Sequence, residues 1–166
     1  MLISADQLVA HLVGDYVFQS DWMASEKTKK SVAALAHVVT YTLPFLFLTT
    51  SWKALLFVAG THFLIDRWRL ARYVCWAKNF LQPKIIEVEV SLSTPIPPGY
   101  KHLRLEGEPT DNGRTHKVML RNYPWSECVG TGYHKDRPAW MAVWLMIIAD
   151  NTMHVILNGL ALKYLA

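Results

Sequence analysis

Hydrophobic residues are gathered in four long runs, and polar stretches of unequal length separate them. A run of about 20 mostly apolar residues is long enough to cross a bilayer as one helix. The pattern therefore predicts four helices, over residues 3–24, 31–50, 54–76 and 139–164. The first run has the shortest apolar part, so a tilted or half-inserted helix is the alternative to a full span there.

The longest polar stretch, residues 78–138, lies between the third and fourth runs. It tends towards alternation of apolar and polar residues near 85–90, 100–106 and 116–121, with proline and glycine turn signals between them. We interpret it as an insert containing a small antiparallel sheet or hairpin. The predicted fold class is thus an all-α membrane protein: one domain, 1–166, a four-helix transmembrane bundle with this polar insert between helices three and four.

Composition and charge placement agree with this interpretation. Of the 166 residues, 52% are hydrophobic, and the net charge of +4 is concentrated at the ends of the runs and in the insert. Basic residues mark the cytoplasmic side of short membrane loops, so this charge indicates topology rather than nucleic-acid binding. The basic ends of helices two and three place the insert in the cytoplasm, and Lys27 is interpreted as one of these topological charges.

Ionisable residues nevertheless occur inside the apolar runs. At membrane depth each costs at least about 2.5–3.5 kcal/mol, so such groups normally face the protein interior and have a partner. Most of them form histidine–carboxylate pairs four residues apart, which places both members of a pair on one helix face. The residues are His11 and Asp15, His62 and Asp66, Asp150 and His154, and the single His37.

Convergence of these groups would form a metal site. Imidazole and carboxylate ligands suit zinc, iron, manganese or nickel, and helix bundles build such sites from inward-facing residues. All seven residues are candidate ligands of a divalent metal, with zinc preferred, and Asp66 and Asp150 are the candidate catalytic carboxylates. A polar packing or proton-relay network, and positions unrelated to one another, remain the alternatives.

The N-terminal run HLVGDYVFQSDWMASEK (His11 to Lys27), His37 in the next helix, and HFLID (His62 to Asp66) resemble a family of small bacterial and phage membrane proteins. This is the domain-of-unknown-function family 3307, and the resemblance covers roughly the first 70 residues and the last helix. It implies the membrane architecture and no activity. A looser similarity to inner-membrane metal-dependent hydrolases implies metal-dependent hydrolysis.

The leading hypothesis is a multi-pass protein of the bacterial inner membrane, in contact with the lipid bilayer and able to form homo-oligomers. It would bind a metal near the cytoplasmic leaflet and hydrolyse a phosphoester or lipid headgroup. The second hypothesis is a non-enzymatic phage or bacterial factor that binds an unidentified protein partner through its basic insert. The third is an ion or proton pathway lined by the polar groups.

Overall fold

A computed structural model describes residues 2–80, 84–88, 104–105, 116–120, 125–135 and 137–166, and the described chain is mostly helical. A π-helical turn, Val13–Val17, continues the first helix, and a 3-10 turn, Leu43–Phe47, continues the third. The helices are α1 (Ala5–Leu12), α2 (Asp21–Glu26), α3 (Ser31–Thr42), α4 (Trp52–Trp68), α5 (Ala71–Phe80) and α6 (Ala139–Tyr164).

The polar insert contains three short strands, β1 (Lys84–Val88), β2 (Arg104–Leu105) and β3 (His116–Leu120). They form an antiparallel sheet in the order β1-β3-β2, with Lys84 opposite Leu120. Each strand falls in one of the three stretches whose alternation predicted it. The remaining residues between 81 and 124 lie outside the described ranges, so the extent of the insert as a unit stays a prediction.

The prediction of one helix over residues 3–24 is wrong. The chain leaves the helical path after the π-helical turn, and α2 begins separately at Asp21. Ser20 causes the new start, because its hydroxyl accepts a hydrogen bond from the Met23 backbone N–H at 3.4 Å, as an N-cap residue does. Because the helix breaks here, the chain changes direction before it reaches Lys27. Lys27 therefore does not lie on a continuation of α1.

The bounds of the next two predicted helices also change. The element predicted over 31–50 ends at Phe47, and Pro44 lies at the start of the 3-10 turn with which it ends. The predicted helix 54–76 is divided between α4 and α5, because Arg69 adopts a left-handed backbone conformation with φ of 49°. Leu70 N–H then bonds back to the Ile65 carbonyl and closes the end of α4.

The fourth predicted helix is confirmed with its bounds, since α6 runs from Ala139 to Tyr164. Its 26 residues extend about 39 Å at about 1.5 Å per residue. In the described part of the chain, α6 is the one helix that is long and apolar enough to cross a membrane. The apolar stretch Ser31–Phe47 is shorter, so the four-span bundle stays a prediction.

The outward faces of the helices are apolar, and their inward faces hold polar side chains. Buried residues include His11, His37, His62, Asp66 and His154, each at most 4% exposed. Large apolar side chains are exposed instead. Examples are Leu8, Val9 and Leu12 on α1, Val32, Leu35 and Val39 on α3, Leu56, Phe57 and Leu64 on α4, and Val143, Trp144 and Ile148 on α6.

Side-chain hydrogen bonds connect the chain segments at each end of this bundle. At one end, Arg67 near the end of α4 donates to the Thr28 carbonyl at 2.7 Å and to the Ser31 hydroxyl at 3.2 Å, where α3 begins. At the other end, the Ser51 hydroxyl donates to the Leu165 carbonyl. The basic ends of α3 and α4 therefore lie together, as predicted from their charges, and the turn between α3 and α4 lies beside the C-terminus.

Candidate metal centre

Four buried side chains from three segments converge inside the bundle. Asp15 comes from the π-helical turn, His37 from α3, and His62 and Asp66 from successive turns of α4. One ligand atom from each lies within 4.8 Å of all the others. π-helical turns are rare and occur frequently at functional sites, so the one that carries Asp15 supports a special role for this carboxylate.

The distances among the four side chains are short. His37 Nε2 lies 2.9 Å from His62 Nε2, 3.1 Å from Asp15 Oδ1 and 3.2 Å from Asp66 Oδ2. His62 Nε2 lies 3.1 Å from Asp66 Oδ2 and 3.6 Å from Asp15 Oδ1. A tetrahedral zinc site has metal–ligand bonds of about 2.0–2.1 Å, which separates its ligand atoms by roughly 3.3 Å. The side chains therefore have the mutual spacing of tetrahedral ligands.

Hydrogen bonds alone do not satisfy this arrangement. A neutral imidazole nitrogen carries either one proton or one lone pair, so His37 Nε2 cannot bond to three neighbours at once. Asp66 Oδ2 is buried and makes no well-directed hydrogen bond within the described part of the chain. Three nitrogen atoms nevertheless surround it: one lysine ammonium and the Nε2 atoms of His37 and His62. A cation between these atoms would satisfy their lone pairs simultaneously, so the residues fit a divalent metal.

Lys27 also reaches this cluster. Its ammonium Nζ lies 2.8 Å from Asp66 Oδ2, 3.3 Å from His37 Nε2 and 3.9 Å from Asp15 Oδ1. The preceding residue, Glu26, helps to fix the loop, because its carboxylate forms ion pairs with the lysines at 29 and 30. These ion pairs lower the pKa of the Glu26 carboxyl group. The sequence interpretation of Lys27 as a purely topological charge is therefore incomplete.

A second group of candidate ligands shares one residue with the first. Asp66, Asp150 and His154 each place one ligand atom within 4.8 Å of the other two. His154 Nε2 lies 3.4 Å from Asp66 Oδ1 and 3.5 Å from Asp150 Oδ2. This nitrogen is buried and makes no hydrogen bond within the described residues.

His11 lies beside both groups and belongs to neither. Its Nε2 is 2.8 Å from Asn151 Oδ1, and its Nδ1 is 2.9 Å from the Tyr41 hydroxyl. Asp15 Oδ2 is 3.8 Å from its Nε2, which is longer than a hydrogen bond. The predicted role of His11 as a ligand thus remains a prediction, and its present contacts are those of a residue that supports the cluster.

Tyr41 packs the histidines into place. Its ring stacks on that of His62 with centroids 3.5 Å apart, and its hydroxyl accepts a hydrogen bond from Asn158 Nδ2 at 2.6 Å. In most metal sites the second ring nitrogen of a histidine ligand donates to an oxygen atom. Nδ1 of His37 and of His62 has no such partner among the described residues, so packing rather than hydrogen bonding fixes the Nδ1 side of these two rings.

A cleft of about 480 Å³ leads to the cluster from the basic end of the bundle. Gln19 also lines it, and its buried Oε1 has no hydrogen-bond partner in the described ranges. Three carboxylates and three basic side chains face one another across the cleft. They are Asp15, Asp66, Asp150, Lys27, Lys29 and Arg69.

Sequence reasoning missed two contributors to this centre. Lys27 falls in a basic connector, where topology is the ordinary explanation of a lysine. Tyr41 lies four residues after His37 in an apolar run, where packing is the ordinary explanation of an aromatic residue. A histidine in a polar insert is ordinarily expected to be solvated, but His134 is 5% exposed and pairs with Cys128 in a β-bridge.

The fold and the cluster together define a small helical protein with apolar outer faces and a buried histidine–aspartate centre. The family described as "Protein of unknown function (DUF3307)" matches residues 3–86, just over half of the chain, and the protein belongs to this family. The match includes every residue of the first ligand group and ends before Asp150 and His154. Comparison with curated proteins and with solved structures gave no match.

Proposed function

We propose that this protein is a membrane-embedded, metal-dependent hydrolase that acts on a phosphoester or lipid headgroup near the cytoplasmic leaflet. The observation that carries the proposal is the convergence of Asp15, His37, His62 and Asp66 at the spacing of metal ligands, beside an open cleft. Three further arguments support it, from the distribution of apolar surface, from the chemistry of the ligands and from the charges of the cleft.

The outer surface supports membrane insertion. A water-soluble domain buries its apolar side chains and exposes its charges, and it rarely leaves large contiguous apolar patches exposed. Here α3 exposes Val32, Leu35 and Val39 while it buries His37 and Tyr41. The helices α1, α4 and α6 likewise expose apolar side chains and bury polar ones. This distribution favours four helices whose outer faces contact lipid.

The charges favour one orientation in this membrane. Basic residues predominate on the cytoplasmic side. Arg67 joins the end of α4 to the start of α3, so Lys29 and Lys30 lie at the same end as Arg67 and Arg69. We propose that this end, with the cleft and the insert, faces the cytoplasm of a bacterial cell.

The ligand set favours zinc or a similar divalent cation. Two imidazoles and two carboxylates give a borderline set of nitrogen and oxygen ligands, which suits zinc, manganese and iron. Two carboxylates also neutralise the two charges of the cation, so the site is formally neutral when loaded. When bound, such a cation acts as a Lewis acid towards a phosphoryl oxygen and makes water a stronger acid at neutral pH.

The cleft provides groups for the rest of a hydrolytic reaction. Asp150 has a side chain that is 26% exposed, and it borders both the cleft and His154, so it is placed to accept a proton from water. Lys27, Lys29 and Arg69 line the same cleft and would bind the negative charge of a phosphoester. The cleft opens towards the end of the bundle where lipid headgroups would lie.

Metal analysis of the detergent-purified protein tests this proposal. We expect stoichiometric zinc, manganese or iron in the wild type, and its loss in His62→Ala and in Asp66→Asn. His102→Ala serves as the matched control, since the sequence places this histidine in the polar insert. A protein without bound metal after incubation with zinc or manganese, or one in which His62→Ala retains it, would contradict the proposal.

One contact favours a second candidate function. The ion pair of Lys27 with Asp66 supplies a positive charge inside the cluster without any metal. A chain of titratable groups from Asp150 through His154 and Asp66 to Lys27 could then relay protons. Proton flux into liposomes that is abolished by Asp150→Asn, in a protein without metal, would favour this pathway over the hydrolase.

A further inference from the structure

The two oxygens of Asp66 face two different groups of ligands. Oδ2 lies 3.1 Å from His62 Nε2 and 3.2 Å from His37 Nε2. Oδ1 lies 3.4 Å from Nε2 of His154, which is on α6. A carboxylate placed in this way has the arrangement of a bridging ligand, in which each oxygen binds a different cation.

The second group is built like a site rather than like a hydrogen-bonded pair. His154 is 1% exposed, and its Nε2 points between two carboxylate oxygens at 3.4 and 3.5 Å, distances that are long for hydrogen bonds. A buried ring nitrogen without a hydrogen bond carries a free-energy cost, because it has lost its contact with water and gained no partner. A cation bound to this nitrogen, to Asp66 and to Asp150 would remove that cost.

We propose that Asp66 bridges two divalent cations, one held with Asp15, His37 and His62, and the other held with Asp150 and His154. This inference rests on the proposed function and extends it from one metal to two. Helix bundles hold paired cations with carboxylates and histidines from facing helices. Such pairs lie about 3.5–4 Å apart in two-metal phosphatases and nucleases, where they bind both oxygens of an in-line displacement at phosphorus.

Charge identifies the class of substrate. Three carboxylates face the two sites, so one divalent cation together with Lys27 only balances them, with the histidines neutral. A second cation leaves two positive charges in excess beside the cleft. A buried excess of this sign and size attracts a phosphate group, and a phosphate monoester carries the matching charge at neutral pH.

The two sites differ in how many ligands the protein supplies. The first has four buried ligands, so a substrate oxygen would bind there only as a fifth ligand. The second has three, and two of them, Asp66 and Asp150, line the cleft. Catalytic sites keep an open position for water or substrate. The second site is therefore where the phosphoester would enter, and the first site would act mainly through the shared carboxylate.

Metal stoichiometry tests this arrangement without an activity assay. The detergent-purified protein is stripped with chelator, loaded with Mn²⁺, desalted and analysed for metal per chain. We expect two ions in the wild type and one in Asp150→Asn and in His154→Gln, with the first site kept. Thr152→Ala is the matched control on α6 and should retain two ions per chain. Thr152 is exposed, and within the described residues its side chain bonds to the Ile148 carbonyl.

Electron paramagnetic resonance of the same samples gives an independent measurement. Two Mn²⁺ ions that share a carboxylate give an exchange-coupled spectrum, and we expect a single-ion spectrum from His154→Gln. One ion per chain in the wild type, unchanged in Asp150→Asn and His154→Gln, would overturn the second site and leave the proposed function in place. No bound ion in any variant would overturn both.

Discussion

The ammonium group of Lys27 lies 2.8 Å from Asp66 Oδ2, inside the group of atoms that we propose to bind a metal. The side chain is 16% exposed and comes from the loop after α2, so it can withdraw into the cleft. Lys27 and a divalent cation would compete for the same carboxylate. This makes the lysine a direct probe of whether the cluster binds cations.

Removal of the lysine charge should strengthen metal binding. At about 4 Å and an effective dielectric constant near 20, the repulsion between an ammonium group and a divalent cation is about 8 kcal/mol, and movement of the side chain relieves most of it. We therefore expect Lys27→Met to bind zinc about 10- to 100-fold more tightly in competition with a chelating dye. Lys29→Met is the control, because Lys29 is exposed and pairs with Glu26. Weaker binding by Lys27→Met would show that the lysine supports the site.

Two glycines offer a matched test of the packing of Asp15. A Cβ on Gly14 would lie 2.7 Å from Tyr41 Cδ2 and 2.8 Å from the Tyr41 carbonyl oxygen, whereas one on Gly60 meets nothing within 4 Å. Gly14→Ala should therefore destabilise the protein by about 1–3 kcal/mol and displace Asp15. Gly60→Ala should be neutral or stabilise α4 by up to about 1 kcal/mol.

Thermal unfolding in detergent, with metal content measured in parallel, distinguishes these expectations. Gly14→Ala should lower both the unfolding temperature and the bound metal. Equal behaviour of the two variants would contradict the close approach of the π-helical turn to α3.

The Tyr41 hydroxyl provides a test of the supporting network. Tyr41→Phe removes the group that accepts from Asn158 and contacts His11, and leaves both buried polar groups short of a partner. We expect a loss of about 1–3 kcal/mol in unfolding free energy. Metal stoichiometry should be unchanged, because the ring still stacks on His62. Tyr164→Phe, at an exposed position, should change neither quantity.

Membrane insertion can be tested at the outer face of α3. Val39 is 63% exposed, and an arginine there would cost roughly 2.5–3.5 kcal/mol near the middle of a bilayer. Val39→Arg should reduce the fraction of protein that resists alkaline extraction from membranes, whereas Thr28→Arg at the basic end should not. In a water-soluble protein, Val39→Arg would instead be tolerated and would improve solubility.

The sequence was sufficient for those features that depend on one helix at a time. The apolar length of α6 set its bounds, and four-residue spacing placed the members of each pair, such as His62 and Asp66, on one face. The breaks in the other helices were harder to predict. Ser20 gave a capping signal that the surrounding apolar residues concealed, and Arg69 gave none, since residues other than glycine seldom adopt its backbone conformation.

Features that depend on contacts between helices could not be predicted in the same way. The sequence predicted a common centre but not its division into two groups, because that depends on which way each oxygen of Asp66 points. It gave no sign that Lys27 would approach Asp66, since the break before α2 redirects the chain towards α4. The position of Tyr41 between His11 and His62 likewise follows from helix packing alone.

The π-helical turn constrains the length of the chain as strictly as the ligands constrain its residue types. Its wider hydrogen-bonding pattern accommodates an additional residue between His11, which faces Asn151, and Asp15, which faces His37. Deletion of Val13 or Gly14 would restore the regular helical repeat and rotate Asp15 away from its partners, even if every other side chain were kept. Natural insertions and deletions should therefore be absent from this stretch in proteins that retain the centre.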